Sequence, residues 1–340
     1  HQNQIVNLLQ CFYLPTDRII HTINAADMQA LLTGQNEASF MSIYDKKKYG
    51  LVDVSGSLGT TVVDVVSIPN PIGCIASRSL NMTFRYSSTD TRFSKLPIYF
   101  MDYLCVHREQ DNKKLSRTLL QTHEYNQRLF NPNIQVSLIK KEVDLFDGVI
   151  PLTKYFTYTF HLRNIQFNKL PKDFEVVLIN NENMDMIFDF LYLQENIETR
   201  HFDILVLPEF GNIVSMIKQK LLYACCLRKG LDVFGVYFIK DSKTQFEDIE
   251  GNTLQCIGSI TNCESNQLFY LGFLHSLKQI LHKYPEYKML LFENIGHNAI
   301  ILENWRTRHT PIFTNKTAYY LFNFIYPGSP LAAEKCFVFY

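Results

Sequence analysis

At 340 residues, with 46% hydrophobic and 14% aromatic side chains, the chain is long for one simple core and too apolar for extended disorder. Lysine plus arginine equals aspartate plus glutamate at 33 each, so no global field recruits nucleic acid or an anionic membrane, and any anion site must be local. Apolar runs end in charge well before the roughly 18–20 residues that a membrane span needs, and no signal-peptide pattern opens the chain, so a soluble, cytoplasmic protein is expected.

Asn24-Ala-Ala-Asp27 has the form of a capping box and predicts a short helix through Leu32. Segments 39–44, 50–54, 60–68 and 73–84 then read as strands, because β-branched or alternating apolar residues fall between turn signals. A loop over 87–97 leads to an apolar strand at 98–107. A polar turn over 107–112 follows, with Asn112 as the expected N-cap of a helix that turns Leu115, Leu119 and Thr122 inward.

In the second half, 205–208 reads as a strand and 212–228 as a helix, with Ile213, Met216, Ile217, Lys220 and Leu221 on one face. Strands are expected at 231–239 and 253–260, and an amphipathic helix at 267–283, where Leu268, Leu271, Leu274, Leu277 and Leu281 recur at helical spacing. Strands at 289–292, 319–325 and 335–340 complete the set. The strand–helix–strand units at 98–138 and 253–292 lie about half a chain apart, which points to two related halves on mixed sheets with helices packed against them.

The unit at 98–138 poses a charge problem. Lys113 and Lys114 occupy the first turn of their helix, where basic residues oppose the macrodipole at a cost of about 0.3–1 kcal/mol each. A bound anion reverses the sign, since free amides, the dipole and two ammonium groups together suit a phosphate. The bland alternative is a solvated lysine pair on a surface helix. The eight cysteines contain no C-x-x-C pair and read as buried free thiols in a reducing compartment, with Cys105 as core packing.

Asp102-Tyr-Leu-Cys-Val-His-Arg108 resembles the signature strand of eukaryotic N-myristoyltransferases, Asn-Phe-Leu-Cys-Val-His-Lys, and Lys113-Lys-Leu115 falls where that family has Lys-Arg-Val. Gly73-Cys-Ile-Ala-Ser77 resembles the family's Gly-Phe-Ile-Ser-Ala strand, and Tyr158-Thr-Phe-His161 through Asn168-Lys-Leu170 resembles its Tyr-Trp-His-Arg-Ser-Leu-Asn segment. Tyr319-Tyr-Leu-Phe-Asn323, followed by Ala333-Glu-Lys335 and a short apolar tail, looks like the family's last two strands. The departures are Asp102 for the signature asparagine, Phe100 for its leading glutamate, Asp111 for an arginine near the phosphates, and Ile312-Phe-Thr-Asn315 for a glycine-aspartate-glycine loop.

The resemblance implies an α+β fold of two tandem acetyltransferase-like halves, mixed β-sheets flanked by helices, forming one saddle-shaped body. Residues 1–170 would bind acyl-CoA, and residues 171–340 would complete a peptide groove. The implied activity is transfer of myristate from myristoyl-CoA, as co-substrate, to the N-terminal glycine amine of a protein or peptide. The backbone amides of Tyr103 and Leu104 would form the oxyanion hole, and the terminal carboxylate of Tyr340 would be the base. His107, Arg108, Asn112, Lys113, Lys114, Leu115 and Ser116 would hold CoA, with His107 supporting the turn. Tyr158, His161 and Tyr320 would line the peptide groove. No metal, permanently bound cofactor or nucleic acid is implied, and the enzyme would act as a monomer. The competing readings are a non-catalytic relative kept as an acyl-CoA or protein-binding module, and an acetyltransferase-like enzyme with another acyl donor or amine acceptor.

Overall fold

A computed structural model describes residues 2–14, 18–46, 48–55, 61–68, 70–85, 93–196 and 201–340. Helix α1 (Gln2–Phe12) buries Ile5, Val6, Leu8 and Leu9 along one stripe and leads through β1 (Ile19–His21) to α2 (Ala25–Leu32). The capping box at the start of α2 is present: Asn24 Oδ1 accepts from Asp27 N at 2.9 Å, and Asp27 Oδ2 accepts from Asn24 N at 3.1 Å. Next come β2 (Phe40–Asp45), the β3 (Lys48–Ser55) and β4 (Thr61–Ile68) hairpin, and two long strands, β5 (Pro71–Phe84) and β6 (Ser94–Val106). Of the loop expected over 87–97, residues 87–92 lie outside the described residues and 94–97 already belong to β6.

Helix α3 (Asn112–Phe130), β7 (Ser137–Glu142), β8 (Thr153–His161), β9 (Phe174–Leu178), α4 (Asp185–Asn196) and β10 (Ile204–Leu207) follow. The helix expected over 212–228 is instead α5 (Phe210–Lys218) and β11 (Leu222–Lys229). Lys220 turns left-handed at φ 61°, which ends the helix, and the apolar run 222–227 is buried on both faces as a strand. The remaining elements are β12 (Asp232–Phe246), β13 (Ile249–Thr261), α6 (Asn266–Lys283), β14 (Tyr287–Glu293), α7 (Asn298–Arg306), β15 (Phe313–Phe322) and β16 (Cys336–Val338). Strands expected at 231–239, 253–260 and 319–325 are thus found, the first two as parts of longer strands, and β15 starts before the expected 319 and ends before 325.

One sheet of 14 strands runs β16-β10-β5-β6-β7-β15-β8-β14-β13-β12-β11-β9, with β1 on β12 and β2 on β5. It contains the same unit twice. In each, an antiparallel hairpin (β5–β6, β12–β13) sends its second strand through a helix (α3, α6) to a parallel neighbour (β7, β14). The halves are tied together by exchange: β15 sits between β7 and β8, while β10 and β16 extend the sheet beyond β5. The fold is therefore α+β with two tandem acetyltransferase-like halves sharing one mixed sheet.

Candidate functional site

The centre of the first unit is an irregularity in β6. Cys74 pairs with Cys105 and Ala76 with Asp102, so Tyr103 and Leu104 together oppose Ile75 alone. This is a β-bulge, and Tyr103 takes a left-handed conformation at φ 55°. For a bulky L-residue that costs about 1–2 kcal/mol, which surrounding packing must overcome. The Tyr103 ring is buried, 5.3 Å from the Tyr13 ring and 6.3 Å from His21. On its other side β6 pairs with β7 only from Tyr99 to Met101, so the two parallel strands part just before the bulge. Strand backbone that would be saturated in a regular sheet is thereby opened toward a wedge-shaped gap.

Beyond the bulge, β6 ends at Val106 and the chain turns at 107–111. His107 Nδ1 accepts from Glu109 N at 3.2 Å, and the His107 ring lies 4.2 Å from Phe12. The N-cap of α3 is Asp111 rather than the expected Asn112: Asp111 Oδ1 accepts from Lys114 N at 3.1 Å, while Asn112 is already helical and its Oδ1 accepts from Ser116 Oγ at 2.8 Å. Aspartate wins because its charge complements the dipole that the two lysines oppose. Lys113 and Lys114 are exposed, as is Arg108, and Leu115 packs on the small cluster of Ile75, Met101, Val106 and Leu119. The residues expected to hold CoA are thus gathered on one turn and one helix end.

On the other face of the bulge lies a buried polar compartment that sequence reading missed, apart from the chain end. Asp102 Oδ1 accepts from Tyr103 N at 2.7 Å and from Tyr13 Oη at 2.8 Å, so a carboxylate oxygen occupies one of the two expected oxyanion donors. Arg78, across on β5, stacks its guanidinium 5.9 Å from the Phe100 ring; Phe100 meets the Tyr340 ring at 4.7 Å, and Lys240 Nζ lies 5.1 Å from that ring. Burial, followed by the charge of Arg78, pushes the Lys240 pKa down to about 8. The Tyr340 hydroxyl donates to Glu293 Oε1 at 2.7 Å, and that fully buried carboxylate also accepts from Tyr155 at 2.6 Å, Gln255 at 2.6 Å and Lys140 at 3.0 Å. Burial works against the Lys140 charge, but Glu142 and Glu293 outweigh it and raise its pKa. Tyr340 is thereby pinned by its side chain.

The three groove residues do not converge with Tyr340. Tyr158 packs with Phe160 in the α6–α7 core under the Arg306 guanidinium, His161 sits at the partly exposed end of β8, and Tyr320 Oη accepts from Phe146 N at 3.2 Å. Period-two alternation puts their neighbours Tyr155 and Tyr319 on the Tyr340 side instead, with Tyr319 and Tyr340 rings 6.3 Å apart. The missed residues had a signal: Arg78, Lys240 and Glu293 each stand in or close an apolar strand run. Cys105 is buried, its Sγ donating to Leu8 O at 3.6 Å, which is core packing. Among the described residues no group of three or more His, Cys, Asp or Glu could hold a metal, and no helix is long and apolar enough to cross a membrane.

An apolar cleft of about 320 Å³ opens beside this compartment among Ile5, Val6, Met28, Leu32, Thr33 and Met41. The second unit repeats the backbone device without the chemistry. There β13 carries one extra residue, Ile257, against β12, and its pairing with β14 ends at Cys256. Eight residues lie between Ile257 and the start of α6, as eight lie between Tyr103 and the start of α3. Yet α6 opens Asn266-Gln-Leu with no basic residue, and a Cβ on Gly258 would lie 2.8 Å from the Phe337 ring, so the C-terminal segment already covers this bulge. Only the first unit couples an open bulge to a basic helix start.

Bulge, parted strands, following helix N-terminus and duplication together define a tandem acetyltransferase-like fold. Solved structures that share it include N-myristoyltransferase of Saccharomyces cerevisiae with bound myristoyl-CoA, at 11% identity and TM-score 0.66, covering 99% of this chain and 82% of that one. A second structure of the yeast protein gives TM-score 0.63 at 11% identity, covering 99% and 86%. A tandem GNAT protein from the clavulanic acid biosynthesis pathway gives 0.56 at 12% identity, covering 94% of both chains. Within the class, then, the fold is that of the N-myristoyltransferases, of which this chain is a divergent structural relative. No family model and no curated protein matches the sequence.

Proposed function

We propose that the protein is an acyl-CoA-dependent N-acyltransferase that moves a fatty acyl group, myristate by the resemblance, to the amine of an N-terminal glycine. The observation that carries this reading is the bulge at Tyr103–Leu104, open where β6 and β7 part and followed at once by the lysine-bearing start of α3. CoA phosphates would lie on the turn and helix start, from His107 and Arg108 through Asn112, Lys113, Lys114, Leu115 and Ser116. The acyl chain would enter the apolar cleft between α1, α2 and β2, and the thioester carbonyl would face the amides of Tyr103 and Leu104.

The amine attacks the thioester carbon, the C–N bond forms, and the oxyanion is held until the C–S bond breaks and CoA leaves as thiolate. An amine of ordinary pKa near 8 needs only a weak base. The expected base is the terminal carboxylate of Tyr340, and a variant extended by one residue beyond Tyr340 tests it: a base there would be displaced and turnover lost. We read 1–170 as the acyl-CoA half and 171–340 as the half that completes the acceptor groove, with His161 at its partly exposed edge and Tyr158 and Tyr320 behind it. Calorimetric titration with myristoyl-CoA tests the reading. One-to-one binding, tighter than for CoA alone, is expected; absence of binding by the folded protein would sink it.

One observation favours the binding-module reading. Asp102 Oδ1 already takes the Tyr103 amide, so an acyl oxygen must displace a carboxylate to use it. Tight myristoyl-CoA binding with no acceptor-dependent CoA release would select that reading.

A further inference from the structure

Arg78 is a buried charged side chain that no carboxylate reaches as a direct ion pair among the described residues, although Asp102 lines the same cavity. Arg78 is 4% exposed, and its only hydrogen bond among the described residues runs from Nη1 to Leu31 O at 3.2 Å. Nε and Nη2 are buried and have no partner. The nearby Asp102 makes no hydrogen bond to Arg78, and Asp102 Oδ1 is taken by Tyr103 N and Tyr13 Oη. A buried guanidinium with two idle donors is costly, which a folded chain tolerates where a ligand later supplies the missing acceptor. The two idle nitrogens, Nε and Nη2, lie on one edge of the planar fork, so both can donate to one oxygen of a carboxylate.

Arg78 also lines a cavity of about 10 Å³ with Leu31, Leu32, Ala76, Asp102 and Tyr103. That is room for roughly one water, or for one carboxylate oxygen in its place. Because Tyr103 belongs to the bulge, a group bound to Arg78 sits beside the reacting carbonyl. The acyl chain has its own apolar cleft on the far side of Leu32, so the second ligand to reach this cavity is the acceptor.

We propose that Arg78 binds a carboxylate carried by the acyl acceptor close to its reacting amine, as an amino acid or a peptide with an acidic second residue would offer. The proposal rests on the acyltransferase reading and narrows its acceptor. It adds a recognition step and no chemistry.

The test is calorimetric binding of product mimics to the full chain with free CoA present. N-decanoylglycine carries the α-carboxylate, N-decanoyl-Gly-Glu-amide carries a side-chain carboxylate, and N-decanoylglycinamide and N-decanoyl-Gly-Gln-amide are their neutral partners. At least one acid binds tenfold or more tightly than its neutral partner, and which one identifies the source of the carboxylate. Arg78→Met abolishes that preference while leaving the affinity of the neutral mimics unchanged, and Arg78→Lys keeps part of it. Equal affinity of acids and neutral partners for the wild-type chain overturns the proposal and leaves the acyltransferase reading standing. If none of the mimics binds, the acyl-cleft reading fails and takes the proposal with it.

Discussion

On the proposed function, Asp102 is the residue that most directly affects the chemistry. Its carboxylate oxygen, 2.7 Å from Tyr103 N, competes with any acyl oxygen for that amide. A charged acceptor holds such a donor more tightly than a neutral one by about 1–2 kcal/mol. Asp102→Asn is therefore expected to raise the rate of acyl transfer roughly tenfold, as read by acceptor-dependent CoA release. A fall of that size would instead make Asp102 the proton acceptor. Little of this could be read from residue types alone. Tyrosine has no preference for positive φ, so the Tyr103 bulge entered only through resemblance to a known motif. Arg78 could have been noticed: it holds an inward position two residues from Ala76 on an otherwise apolar phase of β5. That its Nε and Nη2 lack a partner is a fact of three dimensions.

At the scale of elements, the start of α3 makes opposite demands on stability and binding. Lys113 and Lys114 oppose the dipole of their own helix, so replacing both by glutamate should leave the ligand-free melting temperature unchanged or slightly higher. The same double variant should bind myristoyl-CoA at least tenfold more weakly, and its affinity should respond less to salt. Parallel loss of stability and affinity would show that the lysines serve the fold. This strand–turn–helix was legible because the sequence changes from apolar to polar at Arg108 and resumes with helical period. The segment after α5 was misread for the same reason: Lys220 and Leu221 continue the helical spacing past the point where Lys220 reverses the backbone. Periodicity reports which residues face the core and is blind to a single left-handed residue. Asn112 lost the N-cap to Asp111 by one position, within the ordinary uncertainty of helix ends.

Across the whole molecule, the duplication was legible as two similar units half a chain apart, but the exchange of β15, β10 and β16 was not, since no local pattern encodes which distant strand a segment joins. The interior these strands enclose holds several neutral histidines. Burial pushes His21, His123 and His297 down to about 4. Their folded pKa values lie below the unfolded value near 6.5, so the unfolded chain binds more protons between those limits. Stability should be constant above about pH 6.5, fall as the pH drops toward 4, and show a shallower slope in His123→Gln, whose share is roughly 3 kcal/mol. Melting curves at stepped pH check this, and a flat profile from 6.5 to 4.5 would mean the histidines are hydrated in the native state. On the proposed function, the open bulge of the first unit would be the acyl-transfer centre and the covered bulge of the second would not. The most direct test of that centre is free CoA release from myristoyl-CoA, with and without a glycine-initiated acceptor. Release that depends on the acceptor, and stops when its amine is acetylated, is the expected result. An identical rate with and without acceptor, from protein that binds myristoyl-CoA, would contradict it.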